Sequence, residues 1–315
     1  MIELISPHTR FDFVGFRKKA LMISLALSLI CIALMVVPGP KLGIDFAGGS
    51  LVQVRFKTAT QADQLREILG AVGFEALDIQ DLGRDQTEFL IRVPMTADDP
   101  ESRTRKVISA LSGKFGADQV EVLRIESVGP RVGEALRGKA MLAVLFSTLM
   151  MGIYIWVRFE WRYGLGAIVA LVHDVIMTVG ALIAFGYEFD LTTVAALLTV
   201  VGFSVNDTVI VSDRIRENRR RDRRASLAVL INTSVNETLS RTILTSGTAI
   251  MVTLALYLLG GSVIHGFAFA LLVGFVVGTY SSIFIAAPVV LYFERGSAPG
   301  TAERRPVPAP AARRS

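Results

Sequence analysis

Cysteine is almost absent from this sequence. Its single thiol, Cys31, cannot close an intramolecular disulfide and lies inside an apolar run, where it reads as packing. Histidine is nearly as scarce, three in 315 residues. No Cys or His pair has metal-ligand spacing and no H-E-x-x-H occurs, so no metal site is expected. There is no G-x-x-x-x-G-K-[ST], hence no P-loop of the chain's own, and no G-x-S-x-G. Neither an enzyme nor a cofactor is expected, and any work must draw on an ion gradient or a partner.

Charge is thin as well: 19 % of residues are charged and 52 % hydrophobic, with the apolar residues in long blocks. A bilayer core takes roughly 20 apolar residues per helix. Six blocks qualify: Ala20–Val37, Ala140–Val157, Leu165–Phe185, Leu191–Val211, Thr242–Leu259 and Phe267–Phe293. The fold class is therefore a polytopic α-helical membrane protein with six transmembrane helices. The first block ends in Pro38-Gly39-Pro40 with no small-x-small cleavage site, so it reads as an uncleaved anchor.

The formal charge of +5 follows topology better than nucleic-acid binding, because the basic residues flank the blocks. Arg17, Lys18 and Lys19 precede the first block. Arg158 and Arg162 separate the second from the third, and seven arginines between Arg214 and Arg224 follow the fourth. Arg295, Arg304, Arg305, Arg313 and Arg314 follow the sixth, whereas Gly186–Asp190 and Gly260–Gly266 carry no Lys or Arg. Six spans put all the basic segments on one side, so both termini are expected in the cytoplasm. The division is residues 1–37 for the N-terminus and first span, 38–130 for an exported domain, 131–295 for the remaining spans with a basic loop at 212–240, and 296–315 for a disordered tail rich in Pro, Ala and Arg. The basic loop is a topology determinant or a site for anionic membrane lipid or a cytoplasmic partner.

Between the first two blocks the pattern changes. Ser50–Phe56, Ala76–Leu82, Glu88–Val93 and Val120–Ser127 read as strands, and Ala62–Val72 and Arg103–Phe115 as helices, with Asp99 or Ser102 as a cap. The order βαββαβ is the split βαβ, ferredoxin-like α+β arrangement. This segment lacks His and Cys, so it reads as a docking or structural module.

The informative residues are charges where a bilayer should be, since a centred Asp or Arg costs roughly 2.5–3.5 kcal/mol. His173-Asp174 lies midway along the third span, with Thr178 one turn on. Asn206-Asp207 lies in the fourth, beside Gly202, Ser204 and Thr208, and Thr192, Thr199 and Asn206 form one helical stripe. Arg241 opens the fifth, followed by Thr242, Thr245 and Thr248. These fit a proton pathway with Asp207 as carrier, Arg241 as switching counter-charge and Asp174 as a second carboxylate. His173, Thr178, Asn206, Thr208 and Thr245 are the supporting polar groups. The alternatives are a static Asp207–Arg241 pair that locks helices and an Asp174 that merely links them. His265 reads as structural. Gly274 and Gly278 form a GxxxG step that suits close helix packing, and Pro288 marks a kink or an end.

Several motifs in order carry a resemblance. They are Phe11-Asp12-Phe13, Gly43-Ile44-Asp45-Phe46-Ala47-Gly48-Gly49, and Ser127-Val128-Gly129-Pro130-Arg131-Val132-Gly133. His173-Asp174 with Thr178 and Gly180 follows. Then come Val201 through Val209 running on to Asp213-Arg214-Ile215-Arg216-Glu217-Asn218, and Ser240-Arg241-Thr242 with Thr245-Ser246. The chain resembles the SecF family of bacterial protein-export subunits over Phe11 to about Glu294. Ala47 stands where Thr is frequent and Ser212 where an aromatic is frequent. The resemblance implies half of a twelve-span bundle related to resistance–nodulation–division transporters, completed by a SecD-like chain in the bacterial inner membrane. It implies proton flow that moves periplasmic domains acting on unfolded preproteins at the SecYEG channel. It carries the proton-pathway roles to Asp207 and Arg241, with Asp174 as a further acidic position. The competing readings are half of a proton-driven small-molecule or lipid exporter and a scaffold for the channel.

Overall fold

The structure is a computed structural model and describes residues 11–74, 77–82, 85–94 and 100–295. The expected disordered tail at 296–315, the cap at Asp99 and the strand start at Ala76 lie outside the described residues.

The chain opens with α1 (Phe13–Val36), whose N-cap Asp12 accepts from the Gly15 N–H at 2.8 Å. A short β1 (Lys41–Leu42) and one turn of helix, α2 (Ile44–Ala47), lead into an interposed α/β domain. That domain is β2 (Gly49–Phe56), α3 (Ala62–Ala71), β3 (Asp78–Asp81), β4 (Glu88–Pro94), α4 (Pro100–Phe115) and β5 (Val120–Val128). Its strands pair antiparallel in the order β3-β4-β2-β5. Alternation decides which face is covered: Val52, Val54 and Phe56 of β2 and Phe89, Ile91 and Val93 of β4 are buried. They pack against Leu65 and Leu69 of α3 and Val107 and Leu111 of α4.

The helical bundle resumes with α5 (Pro130–Arg158), where Pro130 takes the first helical position. It continues with α6 (Trp161–Ala184), β6 (Glu188–Phe189), α7 (Leu191–Arg221), α8 (Leu227–Leu259) and α9 (His265–Ser281). A π-helical turn over Ser282–Ala286 joins α9 to α10 (Ala287–Arg295). That turn contains Phe284, whose carbonyl a regular helix would pair with the N–H that Pro288 lacks. Among the described residues, six helical stretches are long and apolar enough to cross a membrane: α1, α5, α6, α7, α8 and the run His265–Phe293. The molecule is a membrane protein of six candidate spans.

The expected basic loop at 212–240 is a correction. α7 runs on to Arg221 and α8 begins at Leu227, leaving only 222–226 as a connection. Apolar residues continue at helical spacing through this stretch. Val211, Ile215, Leu227, Ile231 and Val235 are buried together with Tyr163, Val290 and Leu291, so the helices stay packed past the apolar blocks. α5 likewise starts at Pro130, ten residues before its apolar block opens at Ala140, because Gly133 and Leu136 pack on the segment around Phe46.

Hydroxyls inside the spans mostly satisfy themselves. Thr148, Thr199, Thr248 and Thr253 each donate to a carbonyl one turn back in their own helix.

Candidate functional site

Among the described residues, two buried carboxylates lie in the bundle. Asp174, on α6, is fully buried. Its Oδ2 accepts from Ser204 Oγ on α7 at 2.6 Å and from Ser281 Oγ on α9 at 2.7 Å. Its Oδ1 lies 3.0 Å from His173 Nδ1. One side chain thus ties three helices together. The His173 ring sits 6.4 Å from that of Tyr280, whose hydroxyl bonds Ser24 Oγ of α1 at 2.8 Å.

Asp207, on α7, is 1 % exposed. Its Oδ2 accepts from Ser246 Oγ of α8 at 3.1 Å, while its Oδ1 has no hydrogen-bond partner among the described residues. A buried carboxylate oxygen with no donor is uncommon. Ser204 and Asp207 are three apart on α7 and so share a face. The two carboxylates and their serines therefore run along the α7 surface that meets α6, α8 and α9.

Arg241 is exposed on α8 and forms no ion pair with Asp207 among the described residues, although it acts on that carboxylate electrostatically. The reason is helical phase. Ser246 faces Asp207, and Arg241 precedes Ser246 by five residues, roughly 140° around the helix. Asn206 is exposed too, on an open stripe of α7 with Thr192, Thr199 and Gly202. Of the supporting threonines, Thr178, Thr208 and Thr245 donate to carbonyls of their own helices and not to a carboxylate. The serines 204, 246 and 281 make those contacts instead. Ser281 was not anticipated, yet a signal existed, since it continues the face of Gly274 and Gly278. A Cβ at Gly274 would collide with Val200 of α7, and one at Gly278 would come within 3.1 Å of Ser204 Cβ.

A second cluster roots the interposed domain on the bundle. β1 pairs in parallel with β6, and the Gly43 N–H donates to the Phe189 carbonyl at 2.9 Å. Asp45 Oδ2 accepts from the Leu191 N–H at 3.0 Å, at the first turn of α7, where a carboxylate also suits the helix dipole. Gly48 and Gly49 have φ of 77° and 126°, a conformation that glycine adopts without strain. Gly133 lies so close to this turn that a Cβ would stand 3.2 Å from the Phe46 carbonyl oxygen. Arg92 of β4 pairs with Glu188 of β6 and, at 3.1 Å, with Asp78. Burial pulls the Arg92 guanidinium below its usual range, opposed by the nearby carboxylates. Among the described residues no group of three or more His, Cys, Asp or Glu is placed to hold a metal.

Comparison with known proteins bears directly on these two clusters. The family described as Protein export membrane protein SecD/SecF, C-terminal, matches residues 107–296, and the SecD/SecF GG Motif matches residues 33–60. The Protein translocase subunit SecF of Desulfurispirillum indicum is 46 % identical over 294 residues, covering 90 % of this chain and 93 % of that protein. The chain belongs to the SecF family. The Magnetococcus marinus SecF is 46 % identical over 312 residues, covering 97 % of this chain and all of its own. Among solved structures, SecDF of Thermus thermophilus, described as a translocon-associated membrane protein, superposes with a TM-score of 0.80 at 36 % identity over 93 % of this chain. SecDF in a super-membrane-facing form gives 0.70 at the same identity. This chain spans 40 % of the SecDF chain in either case. The GG match contains Gly48 and Gly49 of the domain root, and the longer match contains both buried carboxylates.

Proposed function

We propose that this chain couples proton flow through its bundle to preprotein movement across the bacterial inner membrane, as the SecF-like half of a twelve-span assembly. Asp207 is the proton carrier and Arg241 the counter-charge that approaches it. Asp174, oriented by His173, holds α6, α7 and α9 in register and serves as the second acidic position. A SecD-like chain covers the open stripe of Thr192, Thr199, Gly202 and Asn206. Both termini lie in the cytoplasm, and the interposed domain is a ferredoxin-like module in the periplasm that acts on unfolded preproteins leaving SecYEG. The chain performs no catalysis of its own.

The observation that carries this reading is the bare Oδ1 of Asp207, buried in a span beside a face that exposes Arg241. The strand order β3-β4-β2-β5 with βαββαβ connectivity supports the domain reading. The exporter alternative is not favoured, since the curated relatives bear the SecF name.

The test is export in vesicles that contain the channel, the SecD-like partner and this chain, with Asp207→Asn compared to the unaltered chain at matched abundance. Gradient-driven completion of export should vanish while ATP-driven initiation survives. Unchanged export would make the intramembrane charges structural.

A further inference from the structure

The basic ends of α5 and α7 enclose a cavity that the proton pathway does not use. It measures about 460 Å³ and is lined by Arg158, Asp213, Arg216, Glu217, Arg220 and Arg221. Four guanidinium groups therefore face two carboxylates. Glu217 is already engaged twice, by Arg214 at 2.6 Å and by Arg221 at 2.6 Å. Arg158, Arg216 and Arg220 form no ion pair among the described residues. Arg216 and Arg220 are four apart and so stand one turn above each other on α7. Arg158 closes α5, where its guanidinium stacks 5.2 Å from the Phe159 ring.

We propose that this cavity binds a phosphate-bearing anion, supplied by the headgroup of an anionic phospholipid. Guanidinium forks match phosphate oxygens in paired hydrogen bonds, and three unpaired forks around one cavity leave positive charge that an anion would offset. Two observations favour a lipid over a soluble phosphate. Trp156 and Trp161, both exposed, bracket Arg158 at the end of the apolar part of α5, as interfacial tryptophans do. A second cavity, about 320 Å³ and lined by Gly152, Trp156, Trp161, Gly164 and Ile168 among others, lies at the same end and is wholly apolar, suited to an acyl chain.

The chain's only two tryptophans are Trp156 and Trp161, so fluorescence reports on this place alone. The full chain is reconstituted in phosphatidylcholine vesicles that contain a minority of phosphatidylglycerol. Either lipid carries the brominated, quenching acyl chains. Brominated phosphatidylglycerol should quench well above its mole fraction, and brominated phosphatidylcholine should not. Arg216→Gln with Arg220→Gln should weaken that preference roughly thirtyfold, from about 1 kcal/mol for each of the two basic side chains near an anionic headgroup. Arg216→Lys with Arg220→Lys keeps the topology-setting charge and should retain part of the preference, which separates binding from misinsertion. Arg223→Gln with Arg224→Gln removes the same charge outside the cavity and should leave the preference intact. Equal quenching by the two lipids, or equal loss in both Gln pairs, would overturn the site in favour of a diffuse surface field. Displacement by millimolar inorganic phosphate would overturn the lipid assignment, and displacement by polyglutamate would indicate an acidic protein segment instead.

Discussion

Asp174 offers the sharpest separation of a structural from a protonic role. Its carboxylate accepts from two serines through one oxygen and faces His173 through the other. In Asp174→Asn the amide oxygen can take the place of Oδ2 and accept from both serines. The amide N–H then donates to His173 Nδ1, which moves the ring proton to Nε2, as a protonated Asp174 would. All three contacts survive, and the added cost is the N–H at His173 Nε2, which is buried with no acceptor among the described residues, so the change should cost about 1 kcal/mol. Asp174→Ala removes all three. Each buried hydrogen bond is worth about 1 kcal/mol, and Ser281 keeps its bond to the Gly278 carbonyl at 3.1 Å, so the loss should be about 2–3 kcal/mol. Unfolding of the full chain in SDS-titrated mixed micelles, followed by circular dichroism, reads both values. An Ala variant as stable as the parent, or an Asn variant as weak as the Ala variant, would refute the reasoning. Once stability is matched, export separates the roles. Normal export by the Asp174→Asn chain makes the residue a helix link, whereas a chain with this change that folds but loses gradient-driven export makes it a carrier.

Two packing predictions concern the glycines. Gly133→Ala places a methyl against the carbonyl oxygens of Phe46 and Asp45 at 3.2 and 3.3 Å, backbone atoms that cannot rotate away. It should loosen the 43–49 turn by about 1–3 kcal/mol, read as faster amide exchange at residues 46–49. Gly274→Ala drives a Cβ into Val200, a β-branched residue with little rotamer freedom on a helix. It should lower stability by a similar amount, and Val200→Ala in the same chain should restore it; no rescue would mean that α7 and α9 are not held at that contact.

The six apolar blocks, their order and the domain's strands and helices were legible because burial in lipid or in a small core imposes composition and period directly. The helix ends were not. Ile215, Leu227 and Ile231 continue the packed face beyond the apolar blocks, but a dense run of arginines on the other face reads as loop. Among the site residues, Asp174 and Asp207 stood out because a carboxylate in an apolar run has no cheap explanation. Their partners did not, because serine is common in spans. A threonine hydroxyl readily takes the carbonyl one turn back, as those of Thr178, Thr208 and Thr245 do, so it is the serines that reach the carboxylates. For Arg241 the sequence gives the depth but not the phase, since only the face of Ser246 tells which side of α8 meets Asp207.

The same helix that carries Asp207 begins at the domain root. α7 is 31 residues long, and Leu191 and Asp207 are roughly 24 Å apart along its axis at 1.5 Å per residue. Its first turn is held by Asp190, which accepts from the Thr193 N–H at 2.7 Å, and by Asp45, which accepts from the Leu191 N–H. Asp190 belongs to α7's own cap. Asp45 belongs to the segment that enters the interposed domain, so its bond is a direct polar contact between the first turn of α7 and the turn that carries Gly48 and Gly49. We hypothesise that Asp45 transmits the protonation state of Asp207 to the domain. Asp45→Ala should leave the bundle folded, because the Asp190 cap and the β1–β6 pairing remain, and should leave proton uptake by the vesicles unchanged. Gradient-driven export should nevertheless fall severalfold, since losing one charge-assisted bond of about 1.5–3 kcal/mol loosens the root from α7. Asp45→Asn, whose side-chain carbonyl still accepts from Leu191, should recover most of the loss. If Asp45→Ala exports as well as the parent, the force travels by another route, through the β1–β6 pair or the Arg92–Glu188 contact; if proton uptake falls with it, Asp45 acts on the pathway itself.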